Sequence, residues 1–114
     1  MLEDNPEGAK IGDLQNPTVT FMHSSWLGWL TAFYHPSLYS FTHGWMHVAE
    51  SSTEGRFIFD YGIGYWTWIS PSYYPNVFIY SSKPGWFLFY TNTQTPDRWW
   101  YNFLSGENVK ERHF

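Results

Sequence analysis

The chain has no cysteine, which removes disulfides, thiolate catalysis and zinc–cysteine sites together. Charge is scarce where it would matter most. Only 14% of residues are Asp, Glu, Lys or Arg, and nine of the sixteen lie near the ends: Glu3, Asp4, Glu7, Lys10, Asp13, Glu107, Lys110, Glu111 and Arg112. Seven remain between Trp26 and Gly106, with a balance of −1. No basic patch exists, which argues against nucleic acid as a partner. No apolar run approaches the roughly 18 residues of a membrane-spanning helix. The opening MLEDNPEGAK is acidic and lacks the basic and apolar blocks of a signal peptide.

What the chain has instead is aromatic rings: 8 Trp, 9 Tyr and 10 Phe. At about 200 Å² each, they would need on the order of 5,400 Å² of cover. A 13.6 kDa chain hides roughly 13,000 Å² on folding. The rings could therefore all be core. Their placement, not their number, has to decide.

The sequence repeats. Arg56-Phe57-Ile58-Phe59-Asp60-Tyr61 returns as Arg98-Trp99-Trp100-Tyr101-Asn102-Phe103, 42 positions later. Gly44-Trp45 returns as Gly85-Trp86 at 41, and Trp29 matches Trp68 at 39. Four-strand copies are expected over 26–64 and 65–106, with strands near 26–33, 37–41, 45–50, 56–61, 65–69, 76–81, 86–91 and 98–103. Short aromatic and β-branched runs parted by turn residues are the all-β signal. The fold expected is thus all-β: two tandem four-stranded antiparallel repeats of about 40 residues, forming a meander sheet, a sandwich or a barrel. Residues 1–25 read as an N-terminal arm, with TVTF at 18–21 as a segment able to join a sheet edge, either of another subunit or of its own Trp26 strand. Residues 107–114 read as a polar C-terminal tail.

Side chains alternate between the faces of a strand, and in the second copy both sets are apolar. One short chain without helices has one interior to offer. The second aromatic face is left for solvent, a ligand or another subunit. Positions shared by both copies are assigned to architecture: Trp29, Trp45, Trp68 and Trp86 as core, Arg56 and Arg98 as guanidinium groups stacked on rings with their forks on loop carbonyls, and Asp60 and Asn102 as turn-closing residues. Residues found in one copy only are the binding candidates: Trp66, Tyr74, Phe87, Trp99 and Trp100.

Catalytic and metal chemistry find little support. His43 and His47 stand four apart, about 13 Å on a strand, too far to share one ion. His35 could meet His43 across a hairpin, without a third ligand in view. No GxSxG elbow and no phosphate loop is present. No cofactor and no enzyme activity is expected.

The GW…RWWYNF unit resembles aromatic repeats of large bacterial surface proteins. More distantly it is similar to the choline- and glucan-binding cell-wall repeats, though at twice their length and without their 20-residue rhythm. The resemblance covers roughly residues 26–106 and implies non-catalytic attachment at a cell surface. Two functions are weighed. One is an assembly module docking onto other protein subunits, a second copy included, through the aromatic face and the arms. The other is a carbohydrate-binding module that stacks a surface glycan on Trp and Tyr.

Overall fold

The computed structural model describes residues 9–10, 20–24, 27–34, 37–51 and 54–114. These carry eleven strands: β1 (Ala9–Lys10), β2 (Thr20–Ser24), β3 (Gly28–Tyr34), β4 (Ser37–Ser40), β5 (Gly44–Ser51), β6 (Arg56–Asp60), β7 (Tyr65–Ile69), β8 (Asn76–Ile79), β9 (Gly85–Phe89), β10 (Trp99–Asn102) and β11 (Glu107–Lys110). A short 3-10 turn over Glu111–His113 follows. All eleven form one antiparallel sheet in sequence order, a meander with β1 and β11 at its two ends. It is not closed into a barrel.

The eight expected strands are present, their bounds displaced by at most a few residues. Of the two places expected for the N-terminal segment, its own sheet is the one seen: Thr20–Ser24 lies antiparallel to β3, with Phe21 opposite Thr31. The expected C-terminal tail is also a strand. β11 pairs with β10 over four positions, from Trp99↔Lys110 to Asn102↔Glu107.

Local chemistry explains the turns. Asp60 Oδ1 accepts the N–H groups of Gly62 (3.0 Å) and Ile63 (3.3 Å). Asn102 Oδ1 accepts those of Leu104 (2.8 Å) and Ser105 (3.3 Å). In both turns the fifth residue is a glycine at positive φ, Gly64 at 80° and Gly106 at 76°, a conformation that side chains with a Cβ rarely adopt. Ser40 plays the same part ahead of Gly44, its Oγ accepting from Thr42 and His43. Glycines 44, 64, 85 and 106 thus open β5, β7, β9 and β11 at intervals of 20, 21 and 21 residues. The spacing of these glycines is therefore near 20 residues. Of these four glycines only Gly44 and Gly85 are followed by Trp, which hid the spacing.

Burial alternates in step along equivalent strands. β4 and β8 share one pattern, half-buried then buried. In β5 and β9 the Trp after the glycine is exposed and the next residue, Met46 or Phe87, is buried. In β6 and the β10 segment, Arg56 and Arg98 are buried, Phe57 and Trp99 exposed, Ile58 and Trp100 buried. The inner face is therefore Leu38, Met46, Val48, Ile58, Ile69, Val77, Ile79, Phe87, Phe89 and Trp100.

A flat sheet could not seal that face. Asp60 and Arg98 stand at the ends of strands four places apart, about 19 Å at normal strand spacing, yet their side chains meet at 2.7 Å. The sheet coils until its inner face closes on itself. His43 then packs on Phe89 at 4.5 Å between ring centroids, and the Thr95 N–H bonds the Thr42 carbonyl. Phe114 covers the end, against Phe87 (5.3 Å) and Trp100 (5.8 Å).

Candidate binding face

The coil leaves the other face outside. Strand registers set its members side by side: Tyr39 opposite Trp45, Phe59 opposite Trp66, Phe57 opposite Trp68, Trp68 opposite Phe78, and Phe78 opposite Trp86. Ring contacts join them, Phe59–Trp66 at 5.4 Å and Phe78–Trp86 at 5.4 Å. Across β6 to β9 this face carries no charged side chain. Ten aromatic side chains on it and its bordering turns are 36 to 57% exposed. At about 200 Å² per ring, Phe57, Trp66, Tyr80 and Trp86 on and beside β6 to β9 leave roughly 300 Å² of aromatic surface in water, within the range of about 300–600 Å² of the largest, often functional, patch on an ordinary monomer.

The face is not flat. Trp68 and Trp86 meet edge to face, 6.3 Å apart at 86°, and form a ridge with a depression on either side. The larger holds about 700 Å³ and is lined by Trp68, Tyr73, Asn76, Trp86 and Phe103. The smaller, about 360 Å³, is lined by Phe57, Trp68, Phe78, Tyr80 and Trp86. A third depression, of about 330 Å³, has a different character. There Trp99 and Tyr90 are ringed by Asn92, Thr93 and Asn108, and the Lys110 ammonium stands 5.4 Å from the Trp99 ring centre.

The expected assignments divide. Trp66 and Trp99 are on the outer face as expected. Phe87 and Trp100, expected at the surface, are buried in the inner core. Tyr74 is also turned inward, its hydroxyl 2.7 Å from His43 Nε2. Trp45 and Trp86, expected in the core, are exposed, and Trp68 is half-buried on the same outer face. The side chain of Trp29, and His35 altogether, lie outside the described residues. His43 is buried, while His47 stands on the outer side against Trp66 at 6.3 Å. No group of three potential metal ligands occurs among the described residues.

Asp60, Asn102 and Arg98 are architectural, with one change. Arg98 lies 5.3 Å from the Trp100 ring centre, but its fork bonds carboxylates rather than loop carbonyls. Nη1 and Nη2 donate to the two oxygens of Asp60 at 2.7 and 2.8 Å, and Nε donates to Glu111 Oε1 at 2.7 Å. Arg56 is buried too, and donates to the Gly55 carbonyl at 3.3 Å. His43 and Glu111 completed this cluster without any sequence-level warning.

Arginine has only donors to offer. His43 Nδ1, 2.9 Å from Arg98 Nη1, must therefore accept. The ring proton sits on Nε2 and is donated to Tyr74 Oη. Burial, aided by the Arg98 charge, holds the His43 pKa well below its usual value. Burial pushes Glu111 up, but the hydrogen bond and charge of Arg98 outweigh it and leave the carboxyl below its ordinary value. Thr95 Oγ1 adds a bond to Glu111 Oε2 at 2.9 Å. The cluster is sealed: Arg98 is fully buried and His43 is 1% exposed.

Comparison with protein-family models, curated proteins and solved structures finds no match to this chain. No helix among the described residues is long and apolar enough to cross a membrane.

Proposed function

We propose that this chain is a non-catalytic assembly module that docks onto other protein subunits through the outer aromatic face of its coiled sheet. The observation that carries the reading is the charge-free run of exposed and half-buried rings across β6 to β9. Interface cores are depleted of charge and enriched in Trp, Tyr and Phe, and such a surface is costly to leave in water. The buried ionisable cluster supports the non-catalytic part, because Arg98, Asp60, His43 and Glu111 spend their polar atoms on each other beneath the core. Docking here rests on the face and not on a donated arm, since the arm's Thr20–Ser24 segment is paired with β3. The likeness to repeats of bacterial surface proteins supports a cell-surface setting for such a module.

A second reading has one observation in its favour. Trp99, with Asn92, Thr93 and Asn108 around it, offers the ring-and-amide arrangement that a sugar uses. The inclined rings of the central face do not.

Light scattering over a concentration series tests the docking reading. An aromatic face of this size associates even without its natural partner, so the mass should rise above 13.6 kDa with concentration. Replacing Trp45 and Trp86 by serine should return the protein to a folded monomer of higher solubility. A parent chain that stays monomeric to millimolar concentration, no less soluble than the variant, would remove the reading.

A further inference from the structure

Independently of the docking reading, we infer that the closure of the coil is an acid-sensitive clasp: a neutral His43 holds the two halves together, and a protonated His43 favours the open form. Arg98 reaches back across the seam to Asp60 and His43, 38 and 55 positions earlier in the chain. The Thr95 N–H crosses it too, bonding the carbonyl of Thr42 at 2.8 Å. The His43 ring packs there on Phe89 at 4.5 Å and near Trp100 at 6.2 Å. Among the described residues it is the one histidine that is buried.

Both of its ring nitrogens are committed. Nδ1 accepts from Arg98 Nη1 at 2.9 Å, and the Nε2 proton goes to Tyr74 Oη at 2.7 Å. A second proton would sit on Nδ1 and point at a guanidinium that has only donors. Charge alone would tolerate it, since one arginine faces two carboxylates. Position does not allow it. Asp60, at the end of β6, turns its oxygens to Arg98 and to the Gly62 and Ile63 N–H groups. Glu111, after β11, turns its own to Arg98 and Thr95. Neither bonds the imidazole. Tyr74, in the turn between β7 and β8, is kept a neutral phenol by burial. The packing has no slack, because even a Cβ at Gly62 would collide with Glu111 and Arg98. To take a proton, His43 has to leave Arg98.

The sign follows from linkage. Burial and the Arg98 charge hold the folded His43 pKa below its ordinary value, whereas an opened chain takes up the proton at about pH 6.5. Below that pH the open form binds one more proton, so the closed form loses stability as pH falls, about tenfold in its equilibrium constant per pH unit. Glu111 also has a lowered pKa, but its ordinary value is 4.5, so its own effect begins at lower pH and is separable.

The test is urea unfolding of the dilute full chain at about pH 7.5 and about pH 5.5, on either side of the ordinary histidine value. The comparison is His43→Gln, which cannot take a proton in this range. Over the interval the unfolding constant of the parent should rise about tenfold more than that of the variant. The protection factor of the Thr95 N–H, corrected for the intrinsic effect of pH on exchange, should fall by the same factor in the parent. If the glutamine variant fails to fold, the ring signals of histidine-labelled parent decide, and His43 should remain the neutral Nε2–H form in the folded chain at the lower pH. Equal pH dependence in parent and variant overturns the inference. So does a His43 ring that gains its proton near pH 6.5 while the Thr95 N–H keeps its protection.

Discussion

Arg98→Met should cost the chain about 3–5 kcal/mol, the usual loss when one partner of a buried ion pair is removed. Methionine fills much of the same volume, so the loss comes from charge and not from a cavity. It strands Asp60 and Glu111, whose carboxylates lie 2.7 Å from the guanidinium, and it leaves His43 Nδ1 without a donor. A domain of this size has only about 5–15 kcal/mol in hand. The variant should therefore unfold at a much lower urea concentration. Adding Asp60→Asn and Glu111→Gln should recover a large part of the loss, because no bare charge is then buried. Asn can still close the turn at position 60, as Asn102 does at its own. A single variant with an unchanged urea midpoint would show that the cluster is incidental to stability.

Ending the chain at Gly106 should have a larger effect still: loss of the cooperative folded state. The removed residues look dispensable in sequence, since ENVK and the ERHF that follows are mostly polar. They supply β11 to the edge of β10, Glu111 to the Arg98 side chain, and Phe114 as cover for Phe87 and Trp100. Without them Trp100 meets water and Arg98 keeps one carboxylate. A truncated chain with a sharp melting transition near that of the parent would contradict this role.

The strands and turns were legible because they rest on local chemistry: period-two runs, Ser or Asx residues at turn entry, and glycine at exit. β11 was legible in principle. Asn102 and Gly106 stand in the same relation as Asp60 and Gly64, and a strand follows Gly64. The polar run after Gly106 masked the inference. The assignment of faces failed for an instructive reason. Recurrence in both copies marks structural equivalence, which the outer face shares with the inner, so Trp45 and Trp86 recur without being core. The inner positions varied instead. Met46 is answered by Phe87 and Ile58 by Trp100, larger side chains filling the half of the coil that closes on itself. The buried cluster could not be read at all. Arg98 and Glu111 are neighbours through β10 and β11, and Asp60 lies beside the start of β5, but the two halves meet only because the sheet coils, and coiling is a sum of small twists that no single stretch of sequence announces.

The whole account turns on which rings face out, and residue-resolved hydrogen exchange of the indole N–H groups in dilute solution measures that directly. The coiled sheet predicts rapid exchange at Trp45, Trp66, Trp86 and Trp99, and exchange slowed by orders of magnitude at Trp100, which is 1% exposed and opens only with the core. Rapid exchange at Trp100, or protection of Trp45 and Trp86 to its level in the monomer, would mean that the two faces had been assigned the wrong way round.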